Sequence, residues 1–183
     1  MEVLKSMSEP LTEDAALSLL SPEPGLVILM CGVAGSGKTS FSTKLASKGF
    51  TRLSIDEEIW GHFGRYGLDY TPEDYPGHVA VARDAIKDVL LQLLARRQPA
   101  VVDSSFWSRA HRDSYKDLIE SAGGAWRLVY LRAPESLLRD RLEARGRRFD
   151  ANAAFPIGAD VLAKFLEDFQ APIDEGEMVV AVS

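Results

Sequence analysis

Gly32-Val33-Ala34-Gly35-Ser36-Gly37-Lys38-Thr39 is the stretch on which the rest of the chain hangs. Glycines at 32, 35 and 37 let a backbone turn its N–H groups inward around a phosphate chain, a shape that Cβ atoms would obstruct. Lys38 then reaches the outer phosphates, the Thr39 hydroxyl is placed to ligate magnesium, and Ser36 and Ser40 complete the loop. The apolar run 26–30 in front reads as a buried strand, and Phe41, Leu45 and Ala46 behind fall on one face of a helix that Gly49 ends. Strand, loop and helix in that order put a phosphate at a helix N-terminus. A chance glycine-rich turn would not need all three, so the expectation is a nucleoside triphosphate site.

Length and composition narrow the setting. At 183 residues and 46% hydrophobic, the chain has material for one substantial core and one domain. The formal charge of −6 argues against a broad nonspecific nucleic-acid surface, while leaving room for a local basic groove. The single cysteine, Cys31, ends the apolar strand and reads as a small buried residue; with no second cysteine there is no disulfide framework. Acidic Glu2 and the lack of a long apolar run give no leader or membrane span, so a cytoplasmic setting is the expectation.

Outward from the loop, strands and helices alternate. Thr12 is placed to cap a short helix carrying Leu17, Leu19 and Leu20, which Ser21-Pro22-Glu23-Pro24-Gly25 breaks. A second strand is expected over 51–55, ending at Asp56, and a third over 99–103. A long helix with Val79, Ala82, Ile86, Val89, Leu90 and Leu93 lies between them. A helix with Tyr115, Leu118, Ile119 and Ala122 stops at Gly123-Gly124 before a fourth strand over 126–131. Helices over 134–145 and around Val161, Phe165, Leu166 and Phe169 precede a last strand over 178–182. This alternation means an α/β fold, a parallel sheet covered on both faces.

Ligands of such sheets lie beyond the carboxyl ends of the strands, where Asp56 and Asp103 are expected. Asp103 follows an apolar strand and is a candidate magnesium-side ligand with Thr39, or a cap for the Ser104-Ser105 turn. Asp56 either caps the helix that begins there or takes the proton of an acceptor hydroxyl. Arginines gather at 139, 141, 145, 147 and 148, and Arg141, Arg145 and Arg148 share a helical face. They are either a solvated face or guanidinium forks for the charge on transferring phosphoryl oxygens.

With these residues placed, the chain resembles the P-loop kinases of the predicted-kinase AAA group, relatives of chloramphenicol phosphotransferase, polynucleotide 5′-hydroxyl kinase and the zeta toxins. The resemblance rests on Gly32 to Thr39, Ser54-Ile55-Asp56, Val101-Val102-Asp103-Ser104 and the Arg141-Leu142-x-x-Arg145 segment, and it spans residues 26–182. It implies a P-loop NTPase fold with a five-stranded parallel sheet in the order 2-3-1-4-5, ATP with Mg2+ as cofactor, and phosphorylation of a hydroxyl. In those terms Lys38 and Thr39 hold phosphates and metal, Asp56 is the general base, and Arg141 and Arg145 are lid residues. The domain reading is a helical appendage over 1–25 and a kinase domain over 26–183, with an acceptor region at 57–98 and a lid at 139–156.

The acceptor region is rich in aromatics. Asp56, Trp60, Arg65, Tyr66 and Tyr70, with Trp107 and Arg112 after strand three, are the candidate acceptor contacts, though aromatics there also serve to pack a loop. His62, His78 and His111 have no metal-ligand spacing. The run that marks gluconate kinases after strand two is absent. With Asn152 as the chain's one asparagine, the guanine-reading Asn-Lys-x-Asp motif cannot form. The expected partner is a small molecule bearing a hydroxyl, with a polynucleotide or nucleoside 5′-hydroxyl and a regulatory ATPase without acceptor as the alternatives.

Overall fold

The computed structural model describes residues 9–147, 150–151 and 157–183. Glu2, Arg148, Phe149 and Asn152, and with them much of the expected lid over 139–156, lie outside the described residues.

Six consecutive buried residues make β1 (Leu26–Cys31), the centre of the sheet. Around it stand β2 (Thr51–Ser54), β3 (Ala100–Asp103), β4 (Ala125–Arg132) and β5 (Glu177–Ala181) in the order β2-β3-β1-β4-β5. All four pairings are parallel, with Val27 opposite Ala100 and Trp126, and Ser54 opposite Asp103. An apolar strand covered on both faces needs helices above and below, and the chain supplies them. On one face α3 (Ile55–Phe63), α4 (Tyr75–Ala95) and α5 (Arg109–Ser121) pack Ile59, Ile86, Leu90 and Ile119 onto Val27, Leu29 and Val102. On the other, α1 (Glu13–Leu19) and α2 (Lys38–Ser47) pack Ala16, Phe41 and Leu45 onto Ile28, Met30 and Val101. A smaller cluster of Leu138, Leu142 and Leu162 joins α6 (Glu135–Arg145) to α7 (Ala159–Asp168). No helix among the described residues is long and apolar enough to cross a membrane.

Three local expectations change. The second strand stops at Ser54, whose hydroxyl accepts from the Glu57 amide at 3.3 Å, so Ser54 caps α3 and Asp56 is a first-turn residue of that helix. In α1, Leu19 is exposed, and the buried side chains are Ala16 and Leu20. In α7 the apolar positions divide between two neighbours: Leu162 and Leu166 face α6, while Phe165 turns toward the cleft described below.

A fourth correction concerns Arg112. Expected at an acceptor, it is buried with 1% of its side chain exposed and lies outside the cleft lining. Its Nη2 and Nε donate to Glu175 at 2.6 and 2.8 Å, and its Nη1 donates to the carbonyls of Phe106 and Gln170, both at 2.8 Å. Lys116 adds a second cation to Glu175 at 3.2 Å. Arg112 therefore clamps the turn after β3 to the segment after α7. Burial alone would raise the Glu175 pKa, but the hydrogen bonds from Arg112 and Lys116 outweigh it and hold it below the usual 4.5. A carboxyl with a lowered folded pKa contributes stability above its unfolded pKa, and that contribution is lost as pH falls through the folded value. Arg112→Ala strands a buried carboxylate and should cost about 3–5 kcal/mol in urea denaturation at pH 7. The deficit should shrink as Glu175 becomes protonated below about pH 4.

Candidate functional site

The loop after β1 takes a path that side chains would block. Gly32 has φ +148, and a Cβ there would stand 2.6 Å from the Ser36 hydroxyl and 2.9 Å from the Leu131 carbonyl oxygen. Gly37, at φ +98, is the N-cap of α2 and has no cap side chain to compete for the first-turn N–H groups. Those groups have no partner inside the helix and form an anion site. Lys38 donates its ammonium to the carbonyls of Gly32 and Val33, both at 2.9 Å, which folds it along the loop. Burial lowers its pKa, opposed by the charges of Asp103 and Asp56. Ser36 is buried, and its amide closes a turn onto the Val33 carbonyl at 3.2 Å, so it shapes the loop from inside. Cys31 below is a buried thiol donating to the Phe106 carbonyl; burial pushes its pKa up to about 11, which makes it a poor nucleophile.

A cleft of about 1080 Å³ opens over the carboxyl ends of the strands. Gly35, Gly37, Lys38, Thr39 and Ser40 of the loop and α2 line it together with Asp56, Asp103, Arg141 and Arg145. Asp103 is buried, and among the described residues its side chain accepts through Oδ2, from Ser42 at 3.0 Å and from Arg52 Nη2 and Nε at 2.6 and 3.2 Å. Its Oδ1 is thus the oxygen for a further ligand. Arg52 spans to Glu57 at 2.7 Å and ties β2, β3 and α3 together. Asp56 is open to the cleft, yet the walls crowd its carboxylate, and burial is the largest influence raising its pKa. Repulsion from Asp103 adds to the rise, while Lys38 and Arg145 oppose it.

The arginine cluster divides. Arg139 and Arg147 form exposed pairs with Glu135 and Glu143 one turn away and belong to the solvated face. Arg141 reaches across to the Gly35 carbonyl at 3.5 Å, and Arg145 lies within the field of Asp56 and Lys38. Of the candidate acceptor contacts, Trp60, Tyr70 and Trp107 line the cleft. Arg65 and Tyr66 do not: Arg65 pairs with Asp69 at 2.8 Å, and Tyr66 packs edge-on against Tyr70 and Tyr75 from behind. His78 stacks on Phe63 at 3.8 Å as part of that packing. The cleft also takes residues the sequence did not single out, among them Arg83 on α4, Phe165 on α7 and Phe169 just past it. The four-residue spacing of Tyr75, Val79 and Arg83 was the available signal for Arg83.

The model of a family described as AAA domain matches residues 27–172. The chain belongs to that family. Among solved structures it is similar to a candidate kinase from Chloroflexus aurantiacus, 22% identical, with 87% of this chain and 88% of that one covered and a TM-score of 0.68. It is also similar to Kti12 from Chaetomium thermophilum, 13% identical over 86% and 88% of the two chains, TM-score 0.59. A gluconokinase from Sinorhizobium meliloti is 24% identical over 89% and 83%, TM-score 0.54. These likenesses are to the fold, which is that of the P-loop kinases. Among curated proteins no match is found.

Lys38→Ala should abolish magnesium-ATP binding in calorimetric titration while leaving the melting temperature close to wild type, because the Lys38 ammonium bonds only to the Gly32 and Val33 carbonyls of its own loop; unchanged affinity would remove the phosphate-loop assignment. Arg141→Ala or Arg145→Ala should lower turnover by roughly ten- to a thousandfold with a smaller loss of ATP affinity, since charge on the phosphoryl oxygens is concentrated in the transition state. Steady-state kinetics on both variants separates this from a merely solvated helix face, for which full activity is expected.

Proposed function

We propose that this chain is an ATP-dependent kinase that transfers the γ-phosphoryl group to a hydroxyl of a small molecule. The observation that carries the reading is the cleft position of Asp56, which lines the same cavity as Lys38, Thr39, Arg141 and Arg145 and lies within the fields of Lys38 and Arg145. A bare nucleotide binder has no use for a crowded carboxylate with a raised pKa at that point.

The roles follow from charge and reach. The acceptor hydroxyl gives its proton to the Asp56 carboxylate as its oxygen bonds to the γ-phosphorus, and the bond from that phosphorus to the bridging oxygen of ADP breaks. Lys38 and the first-turn amides of α2 hold the phosphates in line, and Arg141 and Arg145 balance the charge that spreads over the transferring oxygens. The Thr39 hydroxyl and Asp103 Oδ1 are hard oxygen donors on one side of the cleft and fit magnesium, which would draw charge from the phosphate oxygens when bound. Two protein ligands suffice for an ion that keeps waters and phosphates as the rest. The Kti12 structure, of the same fold, is a complex with ADP-AlF3, which supports a nucleotide in this place. A polynucleotide 5′-hydroxyl kinase would use Arg109 and Arg112 as a basic trough; that reading is weakened by the burial of Arg112 and by Asp113, 3.7 Å from Arg109.

Asp56→Asn decides between a kinase and an ATPase without acceptor. Acceptors come from a mass-spectrometric screen of nucleosides, sugars and hydroxylated antibiotics. With an acceptor identified, phosphorylation should fall by about a hundred- to ten-thousandfold with ATP affinity nearly unchanged. The acid limb of kcat/KM should lie above the ordinary aspartate range and vanish in the variant, because the base must be ionised and burial resists ionisation. Stability should equal or exceed wild type at pH 7: Ser54 does the capping, and a carboxyl with a raised folded pKa favours folding below its unfolded pKa and loses that contribution as pH rises through the folded value. A wild-type rate in Asp56→Asn would end the general-base assignment.

A further inference from the structure

Arg83 brings to the cleft a charge that its surroundings leave unanswered. It follows Tyr75 and Val79 along α4 at four-residue steps, and all three line the cleft. Among the described residues it forms no ion pair, and its Nε is buried with no hydrogen-bond partner. The carboxylates of the cleft already have cations near them: Asp103 pairs with Arg52, Asp168 with Lys164 at 3.1 Å, and Asp56 lies in the fields of Lys38 and Arg145. Of the other cations, Lys44 pairs with Glu13 at 2.7 Å and Arg141 reaches the Gly35 carbonyl. Behind Arg83 stand His111 and Tyr115, which cannot supply an anion. Burial and the neighbouring Arg83, Lys87 and Arg112 push the His111 pKa down to about 4, and burial pushes the Tyr115 pKa up to about 12. A guanidinium with a buried, unpaired N–H beside an open cavity calls for an anion with oxygens to accept from it.

Resting on the kinase reading of this cleft, we infer that Arg83 binds an anionic group of the acceptor, a carboxylate or a phosphate, so that the substrate is a hydroxylated acid or phosphate ester. Tyr75, at the other end of the row, lies within the field of Asp56. Eight residues of helix separate Tyr75 from Arg83, about 12 Å at 1.5 Å per residue. Helical side chains lean back toward the N-terminus, so the guanidinium approaches Tyr75 more closely than its Cα does. A small metabolite spans that gap, with its hydroxyl at Asp56, its body against Trp60, Tyr70 and Tyr75, and its anionic end at Arg83. Planar oxygens favour Arg over Lys at such a position, since the guanidinium fork matches them in two places.

The test uses matched pairs: hydroxy acids and their amides, sugar phosphates and the parent sugars, nucleoside 3′-monophosphates and nucleosides. Phosphorylated products are read by mass spectrometry in the full chain, wild type and Arg83→Gln. Products are expected from the anionic members, and the half of the panel that reacts separates carboxylate from phosphate. Arg83→Gln should raise the acceptor KM about ten- to a hundredfold, the worth of one charge-assisted contact, with kcat and the KM for ATP changed by less than about threefold. Arg83→Lys should restore part of the loss. Neutral members reacting as well as their anionic partners, an unchanged acceptor KM in Arg83→Gln, or a loss that falls on ATP instead would each overturn the inference. Calorimetric binding of the anionic members to protein saturated with magnesium ADP supplies a readout free of turnover. Binding that weakens at least about tenfold in Arg83→Gln supports the site even where no product forms, and in that case only the kinase reading fails. Binding equal in the two proteins, or absent from both, overturns the site, while products from neutral alcohols leave the kinase reading standing.

Discussion

The turn from β1 into α2 sets the position of everything else in the cleft. At Gly32 the backbone passes so close to Ser36 and Leu131 that a Cβ has no room, and at Gly37 it enters α2 with a positive φ. The helix consequently begins at Lys38, six loop residues past the end of a fully buried strand, with its first-turn amides unpartnered within the helix. Because β1 is the central strand, its neighbours β3 and β4 deliver their own carboxyl ends to the same edge. Asp103 arrives beside the loop through β3, and α6 follows β4 back over the loop so that Arg141 meets Gly35. One glycine-dependent turn thereby fixes where an anion sits and which side chains surround it.

Charge is distributed over the cleft in a way that assigns different work to two aspartates of similar placement. Asp103 is buried with Arg52 and Ser42 on one oxygen, so its carboxyl group is held in position with the other oxygen to offer. Asp56 has no such clamp. It stands in a crowded place where burial favours the neutral form, with Lys38 and Arg145 pulling the other way. A held carboxylate suits a metal, and a carboxylate whose ionisation is contested suits proton transfer.

The far wall depends on a buried ion cluster remote from the chemistry. Arg112 and Lys116 meet Glu175 between α5 and the approach to β5, and the remaining Arg112 donor holds the Phe106 and Gln170 carbonyls. Trp107 and Phe169 lie next to those carbonyls in the chain, and both enter the cleft lining. A residue that resembles a substrate contact in sequence thus acts by keeping two loops in register. A buried pair of this kind adds little net stability compared with apolar packing, so its use here is to set geometry.

The glycine loop, the alternation of strand and helix, and Asp103 at the end of strand three were all legible in the amino-acid order, because each is a local pattern: glycine spacing, apolar period, a charge closing an apolar run. The same holds for Arg141 and Arg145, whose shared face is a matter of helical spacing. What local pattern could not say is which partner a side chain finds across the fold. Arg112 and Arg109 look alike along the chain, but only Arg112 meets a carboxylate 63 residues away. Arg65 was claimed by an aspartate one turn on, Ser54 took the cap expected of Asp56, and the apolar stripe of α7 was divided between α6 and the cleft. Arg83 reads as one more polar residue of a long helix until the sheet order places that helix beside β2 and β3. Sequence determined the fold and the phosphate end of the site, since backbone conformation and burial period are encoded within a few residues. Tertiary structure decided the charge pairing around the rest of the cleft, since that depends on distances between segments that the chain brings together only when folded.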